Sequence, residues 1–215
     1  MLTKYRTIHS FGSDEFIISK SKFIGYAKPI SCEDEAIAFI HEIKSNHNDA
    51  THNVYAYVYG ETNNIQRYSD DGEPSGTAGI PVLEVIKKED FRNVVVVVTR
   101  YFGGTKLGAG GLVRAYTKGA KIGLTAGLVV DKVLFKQIKV RIDYTLYGKV
   151  ENELLRLEYV ISHVIYDDAV NFIILCETEN VNVLIDLIIE LTSSRMTYEE
   201  LSEEYYSVKD NKIIK

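Results

Sequence analysis

At 215 residues the chain exceeds one average domain, so its length predicts one large domain or two small ones. An apolar fraction of 46% with 26% charged residues is typical of globular proteins and excludes intrinsic disorder. No apolar run approaches the roughly 18 residues of a membrane span, and the N-terminus lacks the apolar core of a secretory signal. Cys32 and Cys176 lie far apart, which fits a reducing compartment. We therefore expect a cytoplasmic protein without a membrane partner.

The net charge of −5 hides an uneven distribution of charge. Residues 1–91 carry −5 and residues 131–215 carry −6, whereas residues 92–130 hold six bases and no acid. A local positive field of this kind attracts phosphates or acidic partners. The alternative is that several of these bases are solvated decoration on a helix surface.

The chain up to residue 130 predicts a sheet with helices. Its predicted elements before the valine-rich segment are a strand pair or a bent strand at 16–30, a helix at 32–45, a strand at 53–59, a polar loop at 63–79 and a helix at 80–88. In the first helix we expect Ser31 as the N-cap and Ile37, Ile40 and Ile43 as the apolar stripe.

The segment NVVVVVT at 93–99 is the clearest strand signal. Five consecutive valines imply burial on both faces, and therefore a central position in the sheet. The strand is expected to end at Arg100, after which a glycine-rich turn leads into a helix over residues 109–126.

The remaining chain predicts a second domain. Its expected elements are a strand at 133–144, a helix at 146–157, a hairpin of strands at 159–166 and 169–178, a helix at 181–191 and a strand at 196–207. This βαββαβ order is the ferredoxin-like arrangement. We therefore expect an α+β protein with two domains, 1–130 and 131–215.

The strongest candidate for a binding site is the segment RYFGGTKLGAGGLVR at 100–114. Five glycines within nine residues follow a buried strand and precede a helix, so backbone N–H groups can converge on an anion at a helix N-terminus. Lys106 and Arg114 can add charged donors. The predicted binding residues here are Arg100, Tyr101, Gly103, Gly104, Lys106, Gly108, Gly110, Gly111, Arg114 and Tyr116. The alternative is that the glycines only permit tight packing of the helix on the sheet, as we expect of Gly119 and Gly123 together with Leu112, Tyr116 and Ala120.

A second candidate is the acidic loop at 67–79, and it has three interpretations. Asp70, Asp71 and Glu73, followed by Ser75 and Thr77, offer oxygen ligands to a divalent ion. The same residue types also form turns and cap helices. Alternatively, the acids pair with Arg100 or Arg114 and hold the two loops together. We predict Glu73, Ser75 and Thr77 as binding residues, and neither a metal site nor a cofactor.

His52 precedes the strand at 53–59 and lies on the approach to the predicted site. It is either a general base or a structural histidine. The spacings of His41, His47 and His52 do not place them on one helical face, which argues against structural zinc. If the protein is an enzyme, His52, Asp70 and Asp71 are the catalytic candidates.

Three ordered motifs carry a resemblance to a known family: HNVYAY at 52–57, SDDGEPSGTAG at 69–79 and RYFGGTKLGAGGLVRAY at 100–116. Together they resemble the YigZ/Impact family. The resemblance implies a first domain like the second domain of small-subunit ribosomal protein S-five, a fold also used by elongation factor G and some small-molecule kinases. It implies a second domain like the last domain of elongation factor G. Impact regulates translation by binding a partner protein, and bacterial members lack an established activity.

Three classes of function follow from these features. The first is a translation-linked regulatory protein that binds RNA, the ribosome or a translation-related protein through residues 92–121, with Tyr101, Phe102 and Tyr116 as possible stacking residues. The second is an enzyme acting on a small phosphorylated substrate or nucleotide, with Asp70 or Asp71 serving magnesium. The third is a protein–protein scaffold. The peptidase label that some members of the family carry has no support, because the two-metal ligand set that it requires is missing.

Overall fold

The chain, described over residues 2–214 in a computed structural model, divides into two compact units. The first unit comprises Tyr5–Asp131 and Ser207–Lys212. The second comprises Leu2–Lys4, Lys132–Tyr206 and residues 213 and 214. Each unit has its own core of strands and helices, which confirms the predicted two-domain α+β fold class.

The elements up to Ala126 are six strands and three helices. They are β1 (Lys4–Ile8), β2 (Gly12–Ile18), β3 (Ser21–Pro29), α1 (Glu33–Asn46), β4 (His52–Tyr59), β5 (Ile65–Ser69), α2 (Gly79–Lys88), β6 (Val94–Tyr101) and α3 (Gly108–Ala126). The strands β2-β3-β6-β4-β5 form a five-stranded sheet in that order, and every neighbouring pair is antiparallel.

Strand β6 lies at the centre of this sheet, as the valine run predicts. Val94–Val98 are fully buried because both faces of the strand are covered. Val94, Val96 and Val98 pack with α2 and α3 in one apolar cluster, while Val95 and Val97 pack with α1 in another. The strand continues one residue beyond Arg100, to Tyr101.

Three local predictions in the first unit were wrong. The polar loop expected at 63–79 contains strand β5, which pairs with β4 at the sheet edge and therefore lacks a clear apolar alternation. Helix α1 buries Ala36, Phe39, Ile40 and Ile43, whereas Ile37 is 42% exposed. The N-cap of α1 is Cys32, and the preceding Ser31 instead hydrogen-bonds Glu35 through its backbone N–H and hydroxyl.

The remaining elements are β7 (Val129–Ile142), α4 (Tyr147–Arg156), β8 (Val160–Tyr166), β9 (Val170–Glu177), α5 (Val181–Thr192), β10 (Met196–Lys209) and β11 (Lys212–Ile214). Their order through β10 is the predicted βαββαβ, and the sheet order is β11-β10-β7-β9-β8, with β1 also pairing with β7. The core contains Ile138, Phe172 and Ile174 from the sheet and Leu154 and Leu184 from the helices. The short strands β1 and β11 were not predicted from the sequence. None of the described helices is both long and apolar enough to span a bilayer.

Candidate functional site

A buried carboxylate, Glu73, joins three elements of the first unit. It lies in the loop between β5 and α2, and only 3% of its side chain is exposed. Its Oε1 accepts hydrogen bonds from Arg100 Nη1 at 2.6 Å and from the Tyr116 hydroxyl at 2.7 Å. Arg100 is on β6 and Tyr116 is on α3. Of the three interpretations of the acidic loop, a polar network that links the two loops is therefore present at Glu73.

Tyr116 donates to this carboxylate from the interior. Its side chain is fully buried, with its ring edge-on to Phe23. Burial, and then the hydrogen bond to the negative Glu73, raise the pKa of the Tyr116 phenol far above its ordinary value. The phenol therefore stays protonated as a donor. The prediction that Tyr116 offers an exposed stacking face was wrong, because helix α3 turns this residue towards the sheet.

Arg100 is also buried, and it is not the open phosphate contact expected from the sequence. Its guanidinium lies 5.4 Å from the ring centroid of Phe23 and 5.3 Å from that of Phe102. Its Nη1 is bound to Glu73. Its Nε has no hydrogen-bond partner among the residues that the structure describes. An arginine in this setting holds Glu73 and the aromatic rings in place.

His52 is next to Glu73 and has a defined tautomer. Its Nδ1 lies 2.8 Å from the backbone carbonyl oxygen of Asp71. A carbonyl oxygen only accepts, so Nδ1 carries the proton, and in the neutral ring Nε2 presents its lone pair. Nε2 lies 3.8 Å from Glu73 Oε2. His52 also pairs with Arg100 across strands β4 and β6, so the sheet register brings these residues together.

Asp70 and Asp71 are occupied by contacts within the protein. The Asp70 carboxylate accepts from the backbone N–H groups of Gly76, Ala78 and Gly79, and thereby caps the start of α2. The Asp71 carboxylate binds Lys44 Nζ and the backbone N–H of Asn53, each at 2.6 Å. These contacts support the capping interpretation for Asp70 and oppose the magnesium role proposed for both residues. No cluster of three metal-ligating side chains occurs in the described part of the chain.

The other two predicted residues of the acidic loop differ in setting. Thr77 donates its hydroxyl to the carbonyl oxygen of Pro74 at 2.7 Å, so it stabilises the turn. Ser75 is exposed at the surface of the same turn.

The glycine-rich loop, residues 102–108, is tethered where it begins and open beyond that point. The backbone N–H of Phe102 donates to Thr51 Oγ1 and that of Gly103 donates to Ser21 Oγ. A Cβ on Gly103 would meet the backbone of Lys20 at 2.0 Å, so this glycine permits a close approach. Ser21 and Thr51 were not predicted as part of the site. Both residues lie at or next to the start of a strand. The sequence alone could not assign them to the site, because the strand register must be known first.

Beyond Gly103 the glycines face open space. A Cβ on Gly104, Gly108 or Gly110 would meet no atom within 4 Å, and φ is positive at Gly104 and Gly108. Gly111 differs, because a Cβ there would meet Leu107 at 2.9 Å. The interpretation that these glycines only permit packing therefore does not apply to Gly104, Gly108 and Gly110. Their backbone is accessible to a ligand.

Helix α3 begins at this open surface without a cap. Its N-cap residue, Leu107, makes no side-chain hydrogen bond to the first turn, and the first turn contains no acid. The free N–H groups of a helix start carry a partial positive charge that favours anions.

Two cations on this surface lack acidic partners. Of the six bases in residues 92–130, Arg92, Arg100 and Lys121 form ion pairs and Lys118 lies over the ring of Phe16. Lys106 and Arg114 are exposed and make no ion pair or hydrogen bond with any residue that the structure describes. Both therefore remain available to an external anion.

The two aromatic residues before the loop have different environments. The Tyr101 hydroxyl bonds His47 Nδ1 at 2.8 Å and Asp49 Oδ1 at 3.0 Å, so its polar end is engaged. Burial and the Asp49 carboxylate raise the pKa of this phenol. Phe102 is 45% exposed and is the aromatic residue with an accessible face.

We define the glycine-rich surface as Phe102, Gly104, Lys106, Gly108, Gly110 and Arg114. These residues combine accessible backbone, two unpaired cations and one exposed aromatic ring. The largely buried cluster of His52, Glu73, Arg100 and Tyr116 adjoins this surface where the Arg100 guanidinium lies 5.3 Å from the ring centroid of Phe102.

Comparison with known protein families identifies two domains along the chain. The Impact N-terminal domain matches residues 19–124, which include the whole candidate site. A domain of unknown function (DUF1949) matches residues 140–195.

Several known proteins are similar to this chain. IMPACT family member YvyE of Bacillus subtilis is 44% identical over 200 residues, which cover 93% of this chain and 92% of the relative. IMPACT family member YigZ of Escherichia coli is 32% identical over 66% of this chain and 74% of the relative. Protein IMPACT of Oryctolagus cuniculus is 35% identical over 41% of this chain and 29% of its own length.

A solved crystal structure of a hypothetical protein has a similar fold. Its TM-score is 0.59 at 25% sequence identity, and the match covers 94% of this chain and 99% of that one. With the full-length similarity to YvyE and both domain matches, the resemblance found in the three sequence motifs is confirmed. The chain belongs to the IMPACT family.

Proposed function

We propose that this protein is a translation-linked regulatory binding protein that contacts RNA, free or in the ribosome, through the glycine-rich surface. The observation that carries the proposal is the uncapped start of α3, with Lys106 just before the helix and Arg114 in its second turn, neither of which has an acidic partner in the described residues. The link to translation comes from the similarity to Impact. A translation-related protein that binds through residues 92–121 is the alternative partner.

Phosphate oxygens suit this surface in both charge and geometry. Backbone N–H groups at a helix start bind phosphate without side-chain help, and the helix dipole adds to the attraction. Lys106 and Arg114 supply the cations that contact a phosphate backbone without reading its sequence. Phe102 offers one face on which a base can stack.

The test is binding of fluorescently labelled single-stranded RNA, followed by anisotropy over a range of salt concentrations. The double variant Lys106→Ala/Arg114→Ala should bind more weakly, and the slope of log affinity against log salt should fall by about 0.7 for each phosphate that the variant no longer neutralises. Lys87→Ala/Lys88→Ala removes the same charge from the exposed end of α2 and should leave the slope unchanged. Absence of RNA binding by the unaltered protein at low salt would contradict the proposal.

A second candidate function is an enzyme acting on a small phosphorylated substrate or nucleotide. The orientation of His52 favours it, because Nε2 is held with its lone pair free beside a carboxylate. Lys106 and Arg114 would then hold the substrate phosphate. Thermal-shift measurements with nucleotides and magnesium distinguish the two. Stabilisation by a nucleotide favours the enzyme, whereas RNA binding without a nucleotide effect favours the binding protein. A pure scaffold responds in neither assay.

A further inference from the structure

His52 and Glu73 present two hydrogen-bond acceptors to each other. The Nδ1–H of His52 is committed to the Asp71 carbonyl oxygen, so Nε2 of the neutral ring accepts. Arg100 and Tyr116 both donate to Oε1 of Glu73. Oε2 receives no hydrogen bond from the described residues, and His52 Nε2 lies 3.8 Å from it. We call these two atoms the acceptor pair.

The two atoms of the acceptor pair do not satisfy each other. A charge-assisted N–H···O bond is about 2.7–2.9 Å long, well below the observed 3.8 Å. A bound ligand group that only accepts, or an apolar group, would displace water from both atoms without replacing its hydrogen bonds, and this carries a cost. The position therefore selects a ligand group that donates. Its accessible side is the imidazole, which is 19% exposed, whereas the Glu73 side chain is 3% exposed.

The acceptor pair is linked to the glycine-rich surface through Arg100 and Tyr116. Glu73 binds Arg100, which closely precedes the glycine-rich loop, and Tyr116, which is on the helix that begins at this loop. Tyr116 follows Gly108 by about two helical turns, or roughly 12 Å along the helix axis. Three to four nucleotides stacked at about 3.4 Å per step span a similar distance.

We infer that the acceptor pair receives a 2′-hydroxyl of RNA bound to the glycine-rich surface, and that the protein thereby prefers RNA to DNA. This inference rests on the proposed function. Phosphates and sugar ring oxygens only accept, so within a nucleic-acid chain the 2′-hydroxyl is the backbone group that donates, and DNA lacks it. Donors on the bases are common to RNA and DNA and do not distinguish them.

The experiment compares three single strands of the same sequence, built from adenine and cytosine only: RNA, DNA and 2′-O-methyl RNA. The methylated strand keeps the 2′-oxygen but lacks its hydrogen. It therefore separates the effect of hydrogen-bond donation on affinity from the effect of sugar conformation. For the unaltered protein we expect RNA to bind about tenfold more tightly than either other strand, as one hydrogen bond allows.

His52→Asn tests the assignment to this residue. Its amide can still donate to the Asp71 carbonyl, but it places no atom at the position of Nε2. We expect the RNA preference to fall to near onefold, with an unchanged salt slope. His41→Asn makes the same substitution at an exposed position on α1 and should keep the preference. If His52→Asn does not fold, His52→Gln serves instead. Its amide oxygen reaches the Nε2 position, so we expect most of the preference to remain.

The outcomes distinguish the inference about the 2′-hydroxyl from the proposed binding of RNA phosphates. Equal affinity of the unaltered protein for RNA, DNA and 2′-O-methyl RNA would overturn this inference and leave the proposed phosphate binding intact. A folded His52→Asn variant with full RNA preference, or a folded His52→Gln variant without it, would likewise overturn the inference. Absence of binding to all three strands would overturn both.

Discussion

Arg100 and Glu73 place opposite charges inside the first unit, where each depends on the other. Their side chains are 6% and 3% exposed. A buried ion pair adds little net stability compared with an apolar pair of the same size, but removal of one partner leaves an uncompensated charge. Tyr116 depends on the same carboxylate, since its phenol has no other hydrogen-bond partner in the described residues. Glu73, Arg100 and Tyr116 are therefore each sensitive to substitution.

Glu73→Ala should lower the free energy of unfolding by about 3–5 kcal/mol, because it leaves the Arg100 charge buried without a partner. Urea denaturation followed by circular dichroism measures the change. Glu84→Ala breaks the exposed pair with Lys87 on α2 and should cost no more than about 1 kcal/mol. Similar decreases in the free energy of unfolding for the two variants would show that Glu73 is not held in a buried ion pair.

The same sensitivity decides which variants can test RNA binding. Arg100→Ala would weaken binding by destabilising the first unit, whatever the role of Arg100. Lys106 and Arg114 are exposed, so their replacement tests the surface itself.

At the residue scale, the sequence predicted the composition of the site but not its geometry. The acidic loop and the basic segment suggested a network between loops, and Glu73 and Arg100 form one. The sequence left two positions open for Tyr116, packed on the sheet or exposed for stacking, because its direction depends on how α3 rotates against the sheet. The exposure of Lys106 and the burial of Arg100 also depend on the fold, since both residues have the same charge and lie in the same segment.

Helix α3 packs on strand β3 through facing glycines. A Cβ on Gly25 would lie 1.9 Å from the backbone oxygen of Gly119, and a Cβ on Gly119 would lie 2.6 Å from Val98 Cγ1. The absence of side chains at Gly25, Gly119 and Gly123 therefore lets the helix backbone approach the sheet closely. This approach sets the position of the first turn of α3 and thus of the glycine-rich surface.

Two glycine variants separate this packing role from a binding role. Gly25→Ala should lower the free energy of unfolding by about 1–3 kcal/mol or more, because its methyl group meets backbone that cannot move aside. Gly110→Ala meets nothing within 4 Å and should raise helix stability by up to about 1 kcal/mol. Denaturant unfolding measures both changes.

The same Gly110→Ala variant should bind RNA more weakly, because its methyl group occupies the accessible face of the first turn. Opposite changes in stability and affinity would identify a position reserved for a ligand. Unchanged affinity in the anisotropy assay would place the phosphate contact elsewhere on the surface.

At the scale of elements, the sequence was most informative where burial was complete. Five β-branched apolar residues in a row suit only a strand that is covered on both faces, and β6 is such a strand. The missed elements β1, β5 and β11 are short, with three to five residues each. β5 lies at the edge of its sheet and β11 at the edge of the other, so their patterns carry little apolar periodicity.

Each unit contains a short segment from the opposite end of the chain. Ser207–Lys212 belongs to the first unit although it follows the second in sequence, and Leu2–Lys4 belongs to the second. Strand β10 passes from one unit into the other without a break. A composition change near residue 130 indicates where the second unit begins. No sequence pattern within a continuous strand could reveal that β10 contributes residues to both units. A division at 130 and 131 remains our prediction for the domain limits.

A fragment of residues 5–131 should consequently be less stable than the first unit in the whole chain. It lacks Ser207, which is buried and hydrogen-bonds His9 Nδ1 at 2.9 Å, an interaction worth about 0.5–1.5 kcal/mol. Hydrogen exchange of the β6 amides in the fragment and in the whole chain measures the difference. Residues 203–212 joined to the fragment through a glycine–serine linker should restore protection. Equal protection of the bare fragment would show that the C-terminal segment is dispensable.

The tethers at Phe102 and Gly103 have a consequence for how fast and how tightly the loop captures a partner. Immobilising one residue's backbone costs roughly 1–2 kcal/mol. The hydroxyls of Thr51 and Ser21 already hold the first two residues of the loop in the folded chain, so this entropy is lost during folding and not during capture. The start of the loop is thus preorganised for a partner.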